Sequence, residues 1–207
     1  MLYPDSFRVA RHPLAIPKRR RCSGHAFAIS LACSSPRWRL LGYSIRLSTM
    51  EKMADSLHES YMRLCLKLAG IARERGEVPV GSVIVRDRAV IAEGIEGVRV
   101  QHDIAHHAEM EAIRRSCEIL QTLDLSACAL YTNAEPCFMC SYAIRACRIG
   151  TVVFGVPVNA VGGFSSHFPV LSTNAVPNWG PPPKILQGIL REECEATRNM
   201  PQHRPNL

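Results

Sequence analysis

Two short clusters in the chain carry residues able to do chemistry: His107-Ala108-Glu109 and Pro136-Cys137-Phe138-Met139-Cys140, with Cys137 30 positions after His107. A catalytic zinc takes three protein ligands and leaves a fourth position for water. His107, Cys137 and Cys140 supply that count. Glu109, two residues past the histidine, is then left over as a carboxylate beside the water. Zinc brings the pKa of bound water from about 16 towards about 7, and a carboxylate at that place can take the proton and pass it on. A closed structural zinc site would need a fourth ligand, which only His102, His106 or a distant cysteine could provide. A site that binds no metal is the remaining alternative.

Such ligands converge only if the chain places them on neighbouring elements. Pro136 suits the first turn of a helix running to about Cys147. His107 opens another, with Met110, Ile113 and Cys117 spaced along one face. Helix N-termini carry partial positive charge and unpaired N–H groups, which stabilise thiolates. Cys137 and Cys140, three apart, present both sulfurs to one side. Two such helices lying side by side on a sheet would bring the ligands together at one edge.

The flanking text supplies that sheet. Tyr61, Leu64, Leu68 and Ile71 recur at helical spacing, with Asp55 or Ser56 as N-cap and Gly76 as stop. Val80–Val85 and Ala89–Glu93 read as a hairpin, and 94–105 as a loop. Cys128–Asn133 and Gly150–Phe154 read as further strands, and Lys184–Thr197 as a last helix. Alternating strands and helices after a hairpin predict an α/β fold, a mixed sheet with helices on its faces.

Composition narrows the class. The 47% hydrophobic content suits a globular core, and no apolar run approaches the roughly 18–20 residues of a membrane span, so no membrane partner is expected. The net charge of +7 is unevenly spread: residues 1–50 hold nine basic side chains against Asp5, and the rest of the chain sums to −1. The body thus has no excess charge to attract a phosphate backbone. Nine scattered cysteines, an odd number, argue for a reducing compartment and against a disulfide framework.

The chain is therefore expected to divide into a basic, disordered leader or over-extended start (1–50), a zinc-dependent domain (51–200) and a frayed end (201–207). The leader reads as an organellar transit peptide, a secretory signal, an over-extended start with initiation at Met50 or Met53, or a nucleic-acid-binding arm. The expected location is cytoplasmic, with organellar import if the leader is a transit peptide.

The paired motifs resemble those of the cytidine-deaminase superfamily, H-x-E followed by P-C-x-x-C, specifically the branch with tRNA adenosine deaminases and guanine deaminases. The resemblance runs from about Tyr61 to Ala196 and takes in Glu77-Val78-Pro79-Val80-Gly81, Glu135 to Cys140 and Val152-Val153-Phe154-Gly155. Gly188 to Cys194 is similar to the start of the last helix in the tRNA enzymes, and Leu123-Asp124-Leu125-Ser126 to the connector of the guanine enzymes. The resemblance implies a three-layer α-β-α sandwich around a mixed five-stranded sheet, one Zn2+ per subunit, a homodimer, and hydrolytic loss of ammonia from an amino-heterocycle with Glu109 shuttling the protons. Four strands are legible, so the fifth is expected within 156–183.

Two departures bear on the substrate. The family commonly has an asparagine eleven residues before the metal histidine, where this chain has Glu96. The tRNA enzymes also tend to end in a long basic helix, whereas this sequence stops soon after Thr197. An ionised carboxylate only accepts hydrogen bonds; the adenine ring offers it lone pairs, while guanine N–H groups or ribose hydroxyls donate. Glu96 therefore favours a purine base or nucleoside, guanine-like, as the small-molecule partner. Within Pro157–Pro169, Phe164, His167 and Phe168 are expected to wall the pocket and stack on a planar ring, with packing of both phenylalanines in the core as the equal alternative. The alternative is a tRNA adenosine deaminase forming inosine; Arg114, Arg115, Arg145 and Arg148 could then form a small RNA-facing patch, although a solvated helix face accounts for them better. A catalytically silent binding subunit is a third reading, which the presence of Glu109 disfavours.

Overall fold

The computed structural model describes the backbone of residues 36–200 and the side chains from Asp55 onward, Pro177 excepted. The leader readings for 1–35 and the frayed end at 201–207 lie outside the described residues. The chain divides into two units, 1–41 and 42–207, and the second holds the sheet.

Along the chain the elements run α1 (Pro36–Glu74), β1 (Gly81–Arg86), β2 (Ala89–Ile95), α2 (Val98–Gln101), α3 (Ala108–Leu120), β3 (Ala129–Ala134), α4 (Phe138–Ala146), β4 (Thr151–Val156), β5 (Lys184–Gln187) and α5 (Arg191–Asn199). The strands form one sheet in the order β2-β1-β3-β4-β5. β1 is antiparallel to β2 and β3, while β3, β4 and β5 run parallel.

Alternation along the strands builds two cores, one on each face. Val83, Val85, Tyr131, Val153 and Val156 pack with Tyr61, Met62, Cys65 and Leu68 of α1 and Cys194 of α5. Their neighbours Ile84, Leu130, Val152 and Phe154 pack with Ala112 and Ile113 of α3 and Ile144 of α4. The result is the expected three-layer α-β-α sandwich on a mixed five-stranded sheet. Gly94 marks how closely α3 lies on β2: a Cβ there would overlap the Ala108 carbonyl. Among the described residues no helix is long and apolar enough to cross a membrane.

Four local expectations are corrected. Helix α1 begins at Pro36, so neither Asp55 nor Ser56 caps it. Residues 37–54 lack a sustained apolar stripe, yet after Pro36, a favoured first helical residue, they contain no further proline and many good helix formers. The loop expected over 94–105 contains the single turn α2. Pro136 precedes the N-cap of α4, which is Cys137. The fifth strand lies at Lys184–Gln187, within the span read as the last helix, instead of within 156–183. There Ile185 and Leu186 point into opposite cores, which only an extended chain allows. Gly188 at φ 86 and Leu190 at φ 49 then separate β5 from α5.

Candidate metal centre and active site

Helix α3, which follows the edge strand β2, and α4, which follows the inner strand β3, begin at the same end of the sheet, the place where open α/β sheets bind ligands. His107 is the N-cap of α3, which puts Glu109 in its first turn. Cys137 is the N-cap of α4, which puts Cys140 in its first turn. Cys137 Sγ lies 3.9 Å from His107 Nδ1 and 3.7 Å from Cys140 Sγ. The ligand atoms of all three residues lie within 4.8 Å of one another.

These separations suit a tetrahedral zinc, whose ordinary bond lengths imply edges of about 3.8 Å between sulfurs and about 3.6 Å between sulfur and nitrogen. The three ligand groups also share protons among themselves. The Cys137 thiol is held down at about 4, first by the hydrogen bond from Cys140 and then by His107. The Cys140 thiol is pushed up because it donates to that thiolate and is buried. His107 is raised to about 9 by its hydrogen bond to Cys137. Among the described residues no fourth histidine or cysteine joins the cluster. His106 instead faces Glu111, 3.9 Å away, and His102 is exposed at the end of α2. The donor set therefore fits an open zinc centre.

Glu109 lies against this centre, 3% exposed. Thr132 Oγ1 donates to its Oε1 at 3.0 Å, and Cys140 Sγ lies 3.6 Å from its Oε2. Burial pushes the Glu109 carboxyl above its ordinary range. Glu96 lies beside it: its Oε2 accepts the Ala108 N–H at 3.1 Å, satisfying one of the open donors of α3. Burial, followed by the Glu109 charge, raises the Glu96 carboxyl to about 7. Glu96, His107, Glu109 and Cys137 line one cavity of about 320 Å³, together with Val158 and Val161, and with Arg99 and Arg198.

The remaining expected site residues are not brought there. Phe164 packs edge-on against Phe154, with ring centroids 6.2 Å apart, in the α3/α4 core. His167 is exposed and does not line the cavity. Segment 157–169 does wall the cavity, but through Val158 and Val161, because Phe164 is taken up by the core and the exposed Phe168 meets Phe138 instead.

Sequence reasoning missed Thr132, the hydrogen-bond partner of Glu109, and Asn133. The Asn133 amide accepts from Gly81 N and donates to Pro79 O, tying the start of β1 to β3. The available signal was two adjacent polar residues in an otherwise apolar strand.

Of the four arginines, Arg114, Arg115 and Arg148 are solvated and Arg145 is not. Arg145 is 1% exposed. Its guanidinium donates to the carbonyls of Leu171, Thr173 and Gly180 at 3.1–3.2 Å and stacks over Trp179 at 5.5 Å. Arg114 and Arg115 pair with Glu111 at 3.1 and 2.6 Å, and Arg148 lies 4.0 Å from Asp124. Arg145 thus fastens the segment between β4 and β5. Arg145→Met should cost about 3 kcal/mol in urea unfolding, because it leaves three carbonyls without their charged donor, while zinc content stays unchanged.

Comparison with known proteins accords with this geometry. Residues 55–156 match the family model described as the cytidine and deoxycytidylate deaminase zinc-binding region. The tRNA-specific adenosine deaminase of Aquifex aeolicus is 41% identical over 113 residues, which is 55% of this chain and 75% of that protein. The guanine deaminase of Bacillus subtilis is 39% identical over 115 residues, 54% of this chain and 73% of that one. A solved structure from work on A-to-I editing by tRNA:A34 deaminases superposes with a TM-score of 0.63 at 34% identity, covering 67% of this chain and 98% of that one. With the donor set, the fold and these matches in agreement, the chain belongs to the cytidine and deoxycytidylate deaminase family of hydrolytic zinc enzymes.

Proposed function

We propose that this deaminase acts on adenosine within tRNA and converts it to inosine. The observation that carries this is the agreement, over nearly the full length of a solved structure from work on tRNA:A34 deaminases, of the sheet and its helices. The cavity is compatible with such a substrate. Carboxylates and His107 line it, and arginine side chains, Arg198 of α5 among them, share its lining, where a guanidinium can meet a phosphate. His107, Cys137 and Cys140 would hold the metal, which supplies the Lewis acidity that makes water a nucleophile near neutral pH.

Glu109 performs the proton work. It takes one proton from the attacking water and delivers it to the ring nitrogen beside the reacting carbon; it then takes the remaining proton of the added hydroxyl and gives it to the amine, which leaves as ammonia as the carbonyl forms. Thr132 holds Oε1 in place during these transfers. Burial of Glu109 excludes bulk water from the proton path.

A second reading, deamination of a guanine-like base or nucleoside, is favoured by one observation, the position of Glu96 in the cavity wall with 5% exposure. Inosine formation in a tRNA anticodon stem-loop, set beside ammonia release from guanine, guanosine and adenosine, separates the two. Turnover of the stem-loop should exceed that of the free compounds by at least about tenfold in kcat/KM. Ammonia release from guanine with the stem-loop unchanged would establish the second reading instead. In the same assay, Glu96→Asn and Glu96→Gln should each shift the preference among these substrates by more than about threefold if Glu96 reads the ring. A smaller shift removes Glu96 from the recognition set.

A further inference from the structure

We infer that Glu135 is a positioning residue of the cavity, holding the wall formed by Val158 and Val161 against the metal-ligand segment. Glu135 stands directly before Pro136-Cys137 and is 4% exposed. Both of its oxygens face inward onto the backbone of the segment after β4. Oε1 accepts the N–H groups of Phe164 and Ser165, each at 2.7 Å; Oε2 accepts the N–H of Val158 at 2.8 Å and the Ser165 hydroxyl. One ionised side chain thus takes four hydrogen bonds from both ends of a short loop, and charge-assisted bonds of this kind are about twice as strong as neutral ones.

The loop is shaped around that carboxylate. Gly162 packs on it so closely that a Cβ would overlap the carboxylate carbon and Oε1. Three backbone contacts extend the seam: Gly163 N donates to Pro136 O at 2.9 Å, Gly162 forms an isolated β-bridge with Cys137, and Glu135 N donates to Val156 O at 2.9 Å. A metal ligand and the cavity wall are therefore two sides of one small closed structure, with Glu135 at its centre.

The geometry also separates this role from general stability. The far end of the loop is anchored independently by Phe164 on Phe154 and by Leu171 in the core. Loosening Glu135 should therefore free the wall and leave the sheet intact. The charge matters because a glutamine must turn its NH2 towards one of the two donor pairs, so at least one backbone N–H then meets a donor. The wall lies on the substrate side of the cavity while Glu109 sits on α3. The effect should consequently fall on substrate binding more than on chemistry.

The test uses the full chain, loaded with zinc, and whichever of the RNA stem-loop or the free purines it turns over, so a wrong substrate assignment does not obscure the result. In Glu135→Gln, backbone amide exchange at Val158, Phe164 and Ser165 should speed up at least tenfold. Zinc should stay at one per chain, KM should rise at least about tenfold, and kcat should fall less than threefold. Gly162→Ala should reproduce the pattern, and the double variant should be no worse than the more affected single one, because both changes disturb one contact. KM within twofold of wild type despite faster exchange, unchanged exchange, or effects that multiply in the double variant would overturn the assignment. If Glu135→Gln does not accumulate as folded protein, Ser165→Ala carries the test: a KM rise of about threefold with faster exchange supports the role, and no change in either contradicts it.

Discussion

Glu109→Gln should keep one zinc per chain and its melting temperature while losing about three orders of magnitude in kcat. The amide is close in size to the carboxylate, so the buried site keeps its packing and Thr132 keeps an oxygen to donate to. The three ligand side chains are untouched. What disappears is the group that takes and returns protons, and positioned acid–base groups contribute about 10²–10⁴ in rate. Metal analysis, thermal unfolding and initial rates on one preparation check all three parts together. Activity within tenfold of wild type would mean that another group moves the protons.

Removing a ligand should act differently, because it also removes the metal. Cys137→Ala and His107→Ala are each expected to abolish measurable turnover and to lower zinc affinity by at least about 100-fold. Cys137 carries the thiolate of the cluster, held down at about 4, and thiolate is the form that binds zinc. Binding to the folded state alone also stabilises that state. A chelator should therefore lower the melting temperature of the wild type and leave that of Cys137→Ala unchanged. Differential scanning measurements with and without chelator test this. Equal shifts in both proteins would place the metal elsewhere.

The chemistry was more legible in the sequence than its surroundings. His107, Glu109, Cys137 and Cys140 could be found because zinc demands particular donors at particular spacings, and helix caps tolerate little variation in where those donors start. The mixed sheet with helices on its faces followed from the order of strands and helices after the first hairpin. β5 escaped notice because a four-residue strand with two half-buried residues between two exposed ones carries no periodic signal, and Ile185 and Leu186 read equally well as part of a helical stripe. The start of α1 escaped because helix propensity needs no apolar stripe.

At the cavity, Phe164 could be read two ways, because an aromatic ring in a glycine-containing loop satisfies a core as readily as a pocket, and the core holds it. Val158 and Val161, which do line the cavity, are chemically anonymous in sequence. Glu135 and Arg145 illustrate the converse case. Each is an ordinary charged residue by type, and only the backbone groups arrayed around it reveal that it organises a loop. Such roles depend on contacts distant in sequence, which spacing rules do not encode.

X-ray absorption at the zinc edge of the protein as purified tests the central claim, an open hydrolytic centre on three protein ligands, most directly. The arrangement of His107, Cys137 and Cys140 predicts one zinc per chain with two sulfur neighbours, one imidazole nitrogen and one light ligand not supplied by the protein. A shell completed by a third sulfur or a second imidazole would contradict it, since a closed centre leaves no position for the water that Glu109 is placed to deprotonate.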